Sequence, residues 1–105
     1  MIRKGFKMKI YPDKIAEYTK RHNQIWPELE ILLKEQGVKN YSIFFDEETH
    51  ILFGYVEVGS NGNWHAIADT DICKKWWAYM KDLMETNLDN SPVTVDLKNV
   101  FHMSS

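Results

Sequence analysis

Tyr18 and His22 are two polar, titratable side chains four residues apart, in a segment whose apolar residues recur at helical spacing. Positions i and i+4 lie on the same face of a helix, so the phenol and the imidazole point to one place. Histidine is the side chain whose unperturbed pKa lies nearest neutral pH, which suits general acid or base catalysis. A polar group on an apolar face must be hydrogen-bonded or used. The spacing therefore predicts either a catalytic His22 or a buried histidine that only satisfies a hydrogen bond.

Trp76 and Trp77 are adjacent, and successive helix residues point about 100° apart, so both indoles cannot enter one core from one helix. Two interpretations remain open. Both rings pack against the sheet and a partner chain, or one forms a flat wall for a ligand with an apolar face and a hydroxylated rim, such as a sugar. Tyr41 opens a predicted strand and adds a candidate hydroxyl.

Other reaction classes lack their usual signatures in this sequence. His50, His65 and His102 share no helical face with another ligand at metal-binding spacing, so we predict surface histidines and no metal site. The carboxylates lie in turns or on helix surfaces, where solvated charge is expected. The chain has no GxSxG, P-loop or GxGxxG motif, which disfavours acyl transfer, nucleotide binding and dinucleotide binding.

Length and charge predict one soluble domain covering residues 1–105. Thirteen Lys and Arg stand against fifteen Asp and Glu, without a basic cluster, so nucleic acid is not an expected partner. The single cysteine, Cys73, cannot form an internal disulfide, which fits a reducing compartment. Charges interrupt the first nine residues, and no apolar run is long enough to cross a membrane. We expect a cytoplasmic protein with no membrane contact.

The first half of the chain predicts a strand, a broken helix and a hairpin. Alternating apolar residues make Ile2 to Ile10 a strand, and Asp13 is the expected cap of the helix that follows. Pro27 predicts a kink or break between Asn23 and Trp26, and Gly37 predicts the helix end. One apolar stripe of this helix should face the sheet: Ile15, Tyr18, His22, Ile25, Leu29 and Leu32. The hairpin strands are Tyr41 to Phe45 and Ile51 to Val58.

The second half predicts a short helix capped by Asn63, a longer helix from Thr70 or Asp71, and a last strand. The longer helix is expected to continue to the polar turn at Asn87 to Pro92. It should bury two stripes: Ile72, Trp76, Tyr79 and Leu83, and then Cys73, Trp77, Met80 and Met84. The last strand contains Val93, Val95 and Leu97.

This order of elements is the split βαβ, ferredoxin-like pattern of the α+β class, a four-stranded antiparallel sheet with helices on one face. Both hairpin strands carry apolar residues on both faces, whereas helices cover only one face of such a sheet. We therefore expect two chains to press their open sheet faces together as a homodimer, a dimeric α+β barrel. The ligand cavity is then expected between the helices and the sheet of each chain.

An ordered set of short motifs resembles the L-rhamnose mutarotase family, from Met1 nearly to His102. The matching residues are Tyr18, Arg21-His22-Asn23, Ile25-Trp26-Pro27-Glu28, Asn40-Tyr41, Trp76-Trp77 and Asp89-Asn90-Ser91-Pro92-Val93. The resemblance implies a cytoplasmic homodimer that interconverts the α and β anomers of L-rhamnose without a cofactor.

The same resemblance implies that His22 is the proton donor and that Tyr18, Tyr41, Trp76 and Trp77 contact the sugar. The sequence does not show which group is the complementary base, a water or a tyrosine. Two other functions compete. One is a haem-binding or antibiotic-biosynthesis-type monooxygenase, whose fold resembles the predicted one. The other is a non-catalytic ligand-binding or structural dimer, in which His22 and the tryptophans belong to the core.

Overall fold

The computed structural model describes residues 1 to 105 and contains eight helices and strands. In chain order they are β1 (Ile2–Lys9), α1 (Ile15–Asn23), α2 (Pro27–Glu35), β2 (Lys39–Asp46), β3 (Ile51–Val58), α3 (Asn61–Ala68), α4 (Asp71–Met80) and β4 (Val95–Leu97). The strands form one sheet in the order β2-β3-β1-β4, and all neighbours are antiparallel. This topology confirms the predicted ferredoxin-like fold. No helix has the length and apolar composition needed to cross a membrane.

The first crossover consists of two helices, as Pro27 predicted. Helix α1 ends at Asn23, Trp26 is extended with φ −62° and ψ 130°, and Pro27 is the first residue of α2, where its missing N–H costs no helical hydrogen bond. Gly37 follows α2 with φ 79°, which confirms the predicted helix end. The predicted cap at Asp13 is wrong. Asp13 has φ 65°, and Lys14 takes the cap position without a side-chain hydrogen bond.

The second crossover also consists of two helices, and Ser60, not Asn63, caps the first of them. The Ser60 hydroxyl accepts a hydrogen bond from the Asn63 backbone N–H at 3.1 Å, because a cap residue binds the amide three positions later. Thr70 caps α4 in the same way, by accepting from the Cys73 N–H at 3.4 Å, and the helix begins at Asp71, one of the two predicted start positions.

Helix α4 ends at Met80, well before the turn that was expected to stop it. The following segment instead pairs with the last residue of β1 and the two residues after it. Tyr11 N–H donates to Leu83 O at 2.9 Å, and Glu85 N–H donates to Lys9 O at 3.0 Å. These bonds use backbone groups that a longer helix would need. The predicted first stripe is therefore wrong in part, since Leu83 is buried outside the helix and Tyr79 is 43% exposed.

The sheet has one face under the helices and one open face. The buried core lies under the helices and includes Phe6, Met8, Ile10, Tyr18, Leu29, Leu52, Val56, Trp76, Met80, Leu83 and Met84. Large apolar side chains also remain exposed on the opposite face, among them Phe44, Phe53, Val95 and Leu97. Phe44 pairs with Phe53 across β2 and β3, which puts the two rings side by side. The prediction of apolar residues on both sheet faces is thus confirmed.

Candidate active site

A cavity of about 1140 Å³ lies between the helices and the covered face of the sheet. Its lining contains all five site residues predicted from the sequence: Tyr18, His22, Tyr41, Trp76 and Trp77. Helix α1, strand β2 and helix α4 each supply part of this set. A volume above the roughly 300–1,000 Å³ of ordinary ligand sites leaves room for a small molecule and water.

Helix α1 holds His22 against Tyr18 in a defined orientation. The two rings stack with their centroids 4.3 Å apart, as expected for residues one helical turn apart. The Nδ1 atom of His22 lies 3.0 Å from the backbone carbonyl oxygen of Tyr18. A carbonyl oxygen can only accept, so Nδ1 carries the proton and donates it. The neutral ring then has its lone pair on Nε2.

The surroundings of His22 favour that neutral ring. Burial lowers the pKa of His22 from its ordinary value of 6.5, and the hydrogen bond to Tyr18 O opposes this effect only in part. At pH 7 the imidazole is therefore uncharged, and Nε2 is able to accept a proton. The histidine thus has a satisfied hydrogen bond and also a free nitrogen on a cavity wall.

Helix α4 places Trp76 and Trp77 in different environments. Trp76 is buried, and its ring meets His22 edge to face at 5.5 Å and Trp26 at 5.1 Å. Trp77 is half-buried and also lines the cavity. Trp76 therefore packs against the imidazole, and Trp77 is the indole with more accessible surface.

A bulge at the start of β2 positions Tyr41. The pairing of β2 with β3 shifts by one residue between Lys39 and Ser42, and Asn40 has φ 45°. The Asn40 side chain donates to Glu57 at 3.1 Å, and the Tyr55 hydroxyl donates to the other Glu57 oxygen at 2.7 Å. Asparagine tolerates this left-handed backbone better than most residues. The bulge and its two hydrogen bonds thus hold Tyr41 at the cavity.

Both cavity phenols stay protonated at neutral pH. Burial, followed by the nearby Tyr41, raises the pKa of Tyr18, and burial raises the pKa of Tyr41 to about 12. Tyr41 is 39% exposed, because part of its ring faces the cavity, yet protein atoms surround it closely enough to disfavour the phenolate. Each tyrosine can therefore donate a hydrogen bond to an oxygen of a bound ligand.

Phe6 and Trp64 are among the aromatic residues of the cavity that sequence reasoning missed. Their rings lie 6.1 Å apart, and each contacts Tyr41. The Phe6 ring lies over its partner residue on β3, Gly54. A side chain at position 54 would overlap the ring, so glycine leaves the space that the ring needs. The alternation of β1 and the apolar stripe of α3 indicated that both residues face inward, but no local signal distinguishes a cavity wall from a packed core.

The polar segment after α4 also reaches the cavity. Its lining residues are Thr86, Asn87, Asp89, Asn90, Ser91, Pro92 and Thr94. Hydrogen bonds within the segment include Asn87 to Ser91 at 3.0 Å. Among the histidines predicted to lie at the surface, His65 is exposed and borders the cavity, and His102 is exposed at the end of the chain. No group of three His, Cys, Asp or Glu side chains is arranged to hold a metal ion.

Comparisons with known proteins agree with one another. The family model described as L-rhamnose mutarotase matches residues 3–103. The L-rhamnose mutarotase of Lachnoclostridium phytofermentans is 55% identical over 98% of this chain and 99% of its own length. The crystal structure of an L-rhamnose mutarotase from Formosa agariphila is 46% identical, covers 99% of this chain and 100% of its own, and superposes with a TM-score of 0.92.

A more distant solved structure shares the fold alone. It is a dimeric ferredoxin-like protein from an uncultured marine organism, 14% identical to this chain, with a TM-score of 0.63 over 98% of this chain and 94% of its own.

The geometry of His22 predicts one tautomer and a low titration midpoint. Nitrogen-15 NMR at pH 7 should show Nδ1 protonated and Nε2 unprotonated, because Nδ1 donates to Tyr18 O. Titration should place the pKa of His22 below 6.5, because burial disfavours the imidazolium. The signals that disappear in the His22→Gln variant are those of the His22 ring nitrogens, which assigns them. An Nε2-protonated ring at neutral pH would contradict this arrangement.

Proposed function

Since this chain belongs to the L-rhamnose mutarotase family, we propose that it interconverts the α and β anomers of L-rhamnose with His22 as the proton-transferring residue. The observation that supports this role most directly is the Nδ1 hydrogen bond to Tyr18 O, which leaves Nε2 of a neutral imidazole available at a cavity wall. The reaction moves protons only, so His22 and the surrounding hydroxyls supply the chemistry it needs.

Ring opening requires one proton to leave the anomeric hydroxyl and one to reach the ring oxygen. In our proposal Nε2 takes the proton from the anomeric O–H, the C1–O5 bond breaks as the C1 carbonyl forms, and the imidazolium donates that proton to O5. Both oxygens are bonded to C1, so one nitrogen can serve both. Rotation about C1–C2 and the reverse steps on the other face of the carbonyl give the other anomer. His22 thus acts as base and then as the proton donor that the family resemblance implies.

The remaining cavity residues are proposed to hold the sugar. The neutral phenols of Tyr18 and Tyr41 donate hydrogen bonds to sugar oxygens, because their raised pKa values keep them protonated. Rhamnose carries a methyl group at C6, which gives it an apolar patch suited to an indole face. Trp77 is assigned the stacking role, and Trp76 supports His22 from behind.

The two competing functions make different forecasts. Membership of the mutarotase family argues against the monooxygenase, since a shared ferredoxin-like fold does not carry an activity with it. A non-catalytic binder would bind L-rhamnose without exchanging its anomers. Saturation-transfer NMR separates these cases directly, because only a catalyst transfers magnetisation between the anomeric protons.

We also propose that the whole chain acts as one domain in a cytoplasmic homodimer. The open face carries Phe44, Phe53, Val95 and Leu97, and an exposed apolar patch of this kind marks an association surface. The buried, unpaired Cys73 is compatible with a reducing compartment.

His22→Gln should reduce the anomer exchange rate by about 10² to 10⁴-fold, because glutamine keeps a hydrogen-bonding side chain but has no titrating nitrogen. The rate is measured by NMR and the melting temperature by thermal unfolding. The matched control is His102→Gln, which changes an exposed histidine outside the cavity lining and should leave both values unchanged.

A folded, sugar-binding His22→Gln protein with undiminished exchange would rule out catalysis by His22. A purely structural His22 would instead cost roughly 1 to 3 kcal/mol of stability, with activity retained in the folded fraction. The wild-type rate should also fall as the pH drops through the lowered pKa of His22, because Nε2 must be unprotonated to accept the first proton.

Trp77→Leu should weaken L-rhamnose binding by about 1 to 2 kcal/mol, or roughly 5- to 30-fold in Kd, with little change in melting temperature. Titration calorimetry measures the affinity. Trp76→Leu is the comparison, and it should lower the melting temperature more, because the Trp76 ring is buried against His22 and Trp26. An unchanged Kd in Trp77→Leu would remove Trp77 from the binding site.

Light scattering should show a dimer at micromolar concentration, and Phe53→Lys should shift it toward monomer by placing a charge in the apolar sheet face. Ile31→Lys is the control, because Ile31 is 55% exposed but lies on α2, away from that face. A monomeric wild-type protein would contradict the proposed dimer.

A further inference from the structure

Arg21 binds three groups at once and joins α1 to the end of α4. Its side chain is only 13% exposed. Nε donates to Glu17 at 2.8 Å within α1. Nη1 donates to the Tyr79 carbonyl oxygen at 2.6 Å and to Asp82 Oδ1 at 2.9 Å, and Nη2 donates to Asp82 Oδ2 at 3.3 Å. Every side-chain hydrogen bond between α1 and the α4 region belongs to Arg21.

The contacts of Arg21 supply a hydrogen-bond donor and a positive charge to the C-terminal end of α4. The last carbonyls of a helix lack intrahelical partners, and positive charge is favourable there. Helix α4 has no basic residue in its own last turn, and Arg21 supplies both the charge and a donor from the neighbouring helix. The two-pronged contact with Asp82 also fixes the direction of the guanidinium, which a lysine could not reproduce.

Electrostatic stabilisation does not account well for this arrangement. The Asp82 side chain is 61% exposed, and ion pairs with one solvated partner add little to stability. What the guanidinium does fix is geometry, because three of its nitrogen atoms are used on two separate elements.

An aromatic chain leads from Arg21 to the proposed catalytic residue. The guanidinium carbon lies 4.5 Å from the centre of the Tyr79 ring. Tyr79 packs on Trp76 at 5.6 Å, and Trp76 meets the His22 ring at 5.5 Å. Arg21 also directly precedes His22 in α1. Arg21 is therefore connected to the imidazole in two ways: by the backbone of α1, and through the packed rings of Tyr79 and Trp76.

We propose that Arg21 is a positioning residue, which sets the distance between α1 and α4 so that Trp76 holds the His22 ring with Nε2 toward the substrate. This inference rests on the proposed role of His22. The action is geometric, because the hydrogen bonds of Arg21 go to Glu17, the Tyr79 carbonyl oxygen and Asp82, and none goes to the imidazole. A misplacement of about 1 Å can cost on the order of 10²-fold in rate, so the effect belongs in kcat.

The test compares steady-state anomer exchange in four variants, each assayed well below its own melting temperature. Arg21→Met removes every polar contact and should lower kcat about 10- to 100-fold, with KM changed no more than about threefold. Arg21→Lys keeps the charge without the fork and should give an intermediate kcat. Asp82→Asn weakens the link from the α4 side and should lower kcat severalfold.

Glu17→Gln is the matched control, because it alters only the contact of Arg21 within α1 and leaves the link to α4 intact. Its kcat should stay near that of the wild type. NMR of the His22 imidazole gives a second readout: its signals should shift or broaden in Arg21→Met and Asp82→Asn and remain unchanged in Glu17→Gln.

A folded Arg21→Met protein with a lower melting temperature but wild-type kcat and His22 signals would show a purely structural residue and overturn the inference. If Arg21→Met does not fold, Asp82→Asn decides the question in the same way. If the wild-type protein exchanges no anomers, the proposed function fails, and the His22 signals of the variants still report whether Arg21 positions the ring.

Discussion

The hydrogen bond from Nδ1 of His22 to the carbonyl oxygen of Tyr18 is the interaction on which the proposed chemistry depends. It satisfies the polar group that would otherwise make a half-buried imidazole costly. At the same time it assigns the proton to one nitrogen and leaves the lone pair on the other. Burial then keeps the ring neutral by lowering its pKa. The hydrogen bond that secures the ring also leaves Nε2 free, so a structural contact of His22 is compatible with its proposed catalytic role.

The rest of the fold places partners around that nitrogen from three separate elements. Helix α1 is short and ends at Asn23, so the orientation of its face depends on what it packs against. The Trp76 ring of α4 packs edge to face with the imidazole, and the bulge in β2 brings Tyr41 to the same cavity. Arg21 joins α1 to the end of α4 through its hydrogen bonds to the Tyr79 carbonyl oxygen and to Asp82.

The sequence predicted the elements well where a local rule decides the outcome. Pro27 and Gly37 have conformational limits that do not depend on the fold: α1 ends before Pro27, which begins α2, and α2 ends before Gly37. The end of α4 was missed because the backbone of Leu83 and Glu85 pairs with Tyr11 and with Lys9 at the end of β1, a contact that no local pattern reveals. For the same reason Trp64 and Arg21 were not identified, since their roles depend on residues distant in sequence. The spacing of Tyr18 and His22, by contrast, is a property of one helix, and both side chains line the cavity.

The backbone arrangement alone does not determine the chemistry of a domain, because one fold can carry many unrelated functions. In a ferredoxin-like domain the side chains between the helices and the sheet decide whether the space there is a packed core or a cavity. Which reaction that space can host depends on whether a titratable group faces it and is held in one tautomer. Here a single helical turn supplies both the imidazole and the carbonyl that orients it. A change of one residue at position 22 would thus leave the cavity and the fold in place while removing the only atom in the proposed mechanism that both accepts and donates the transferred proton.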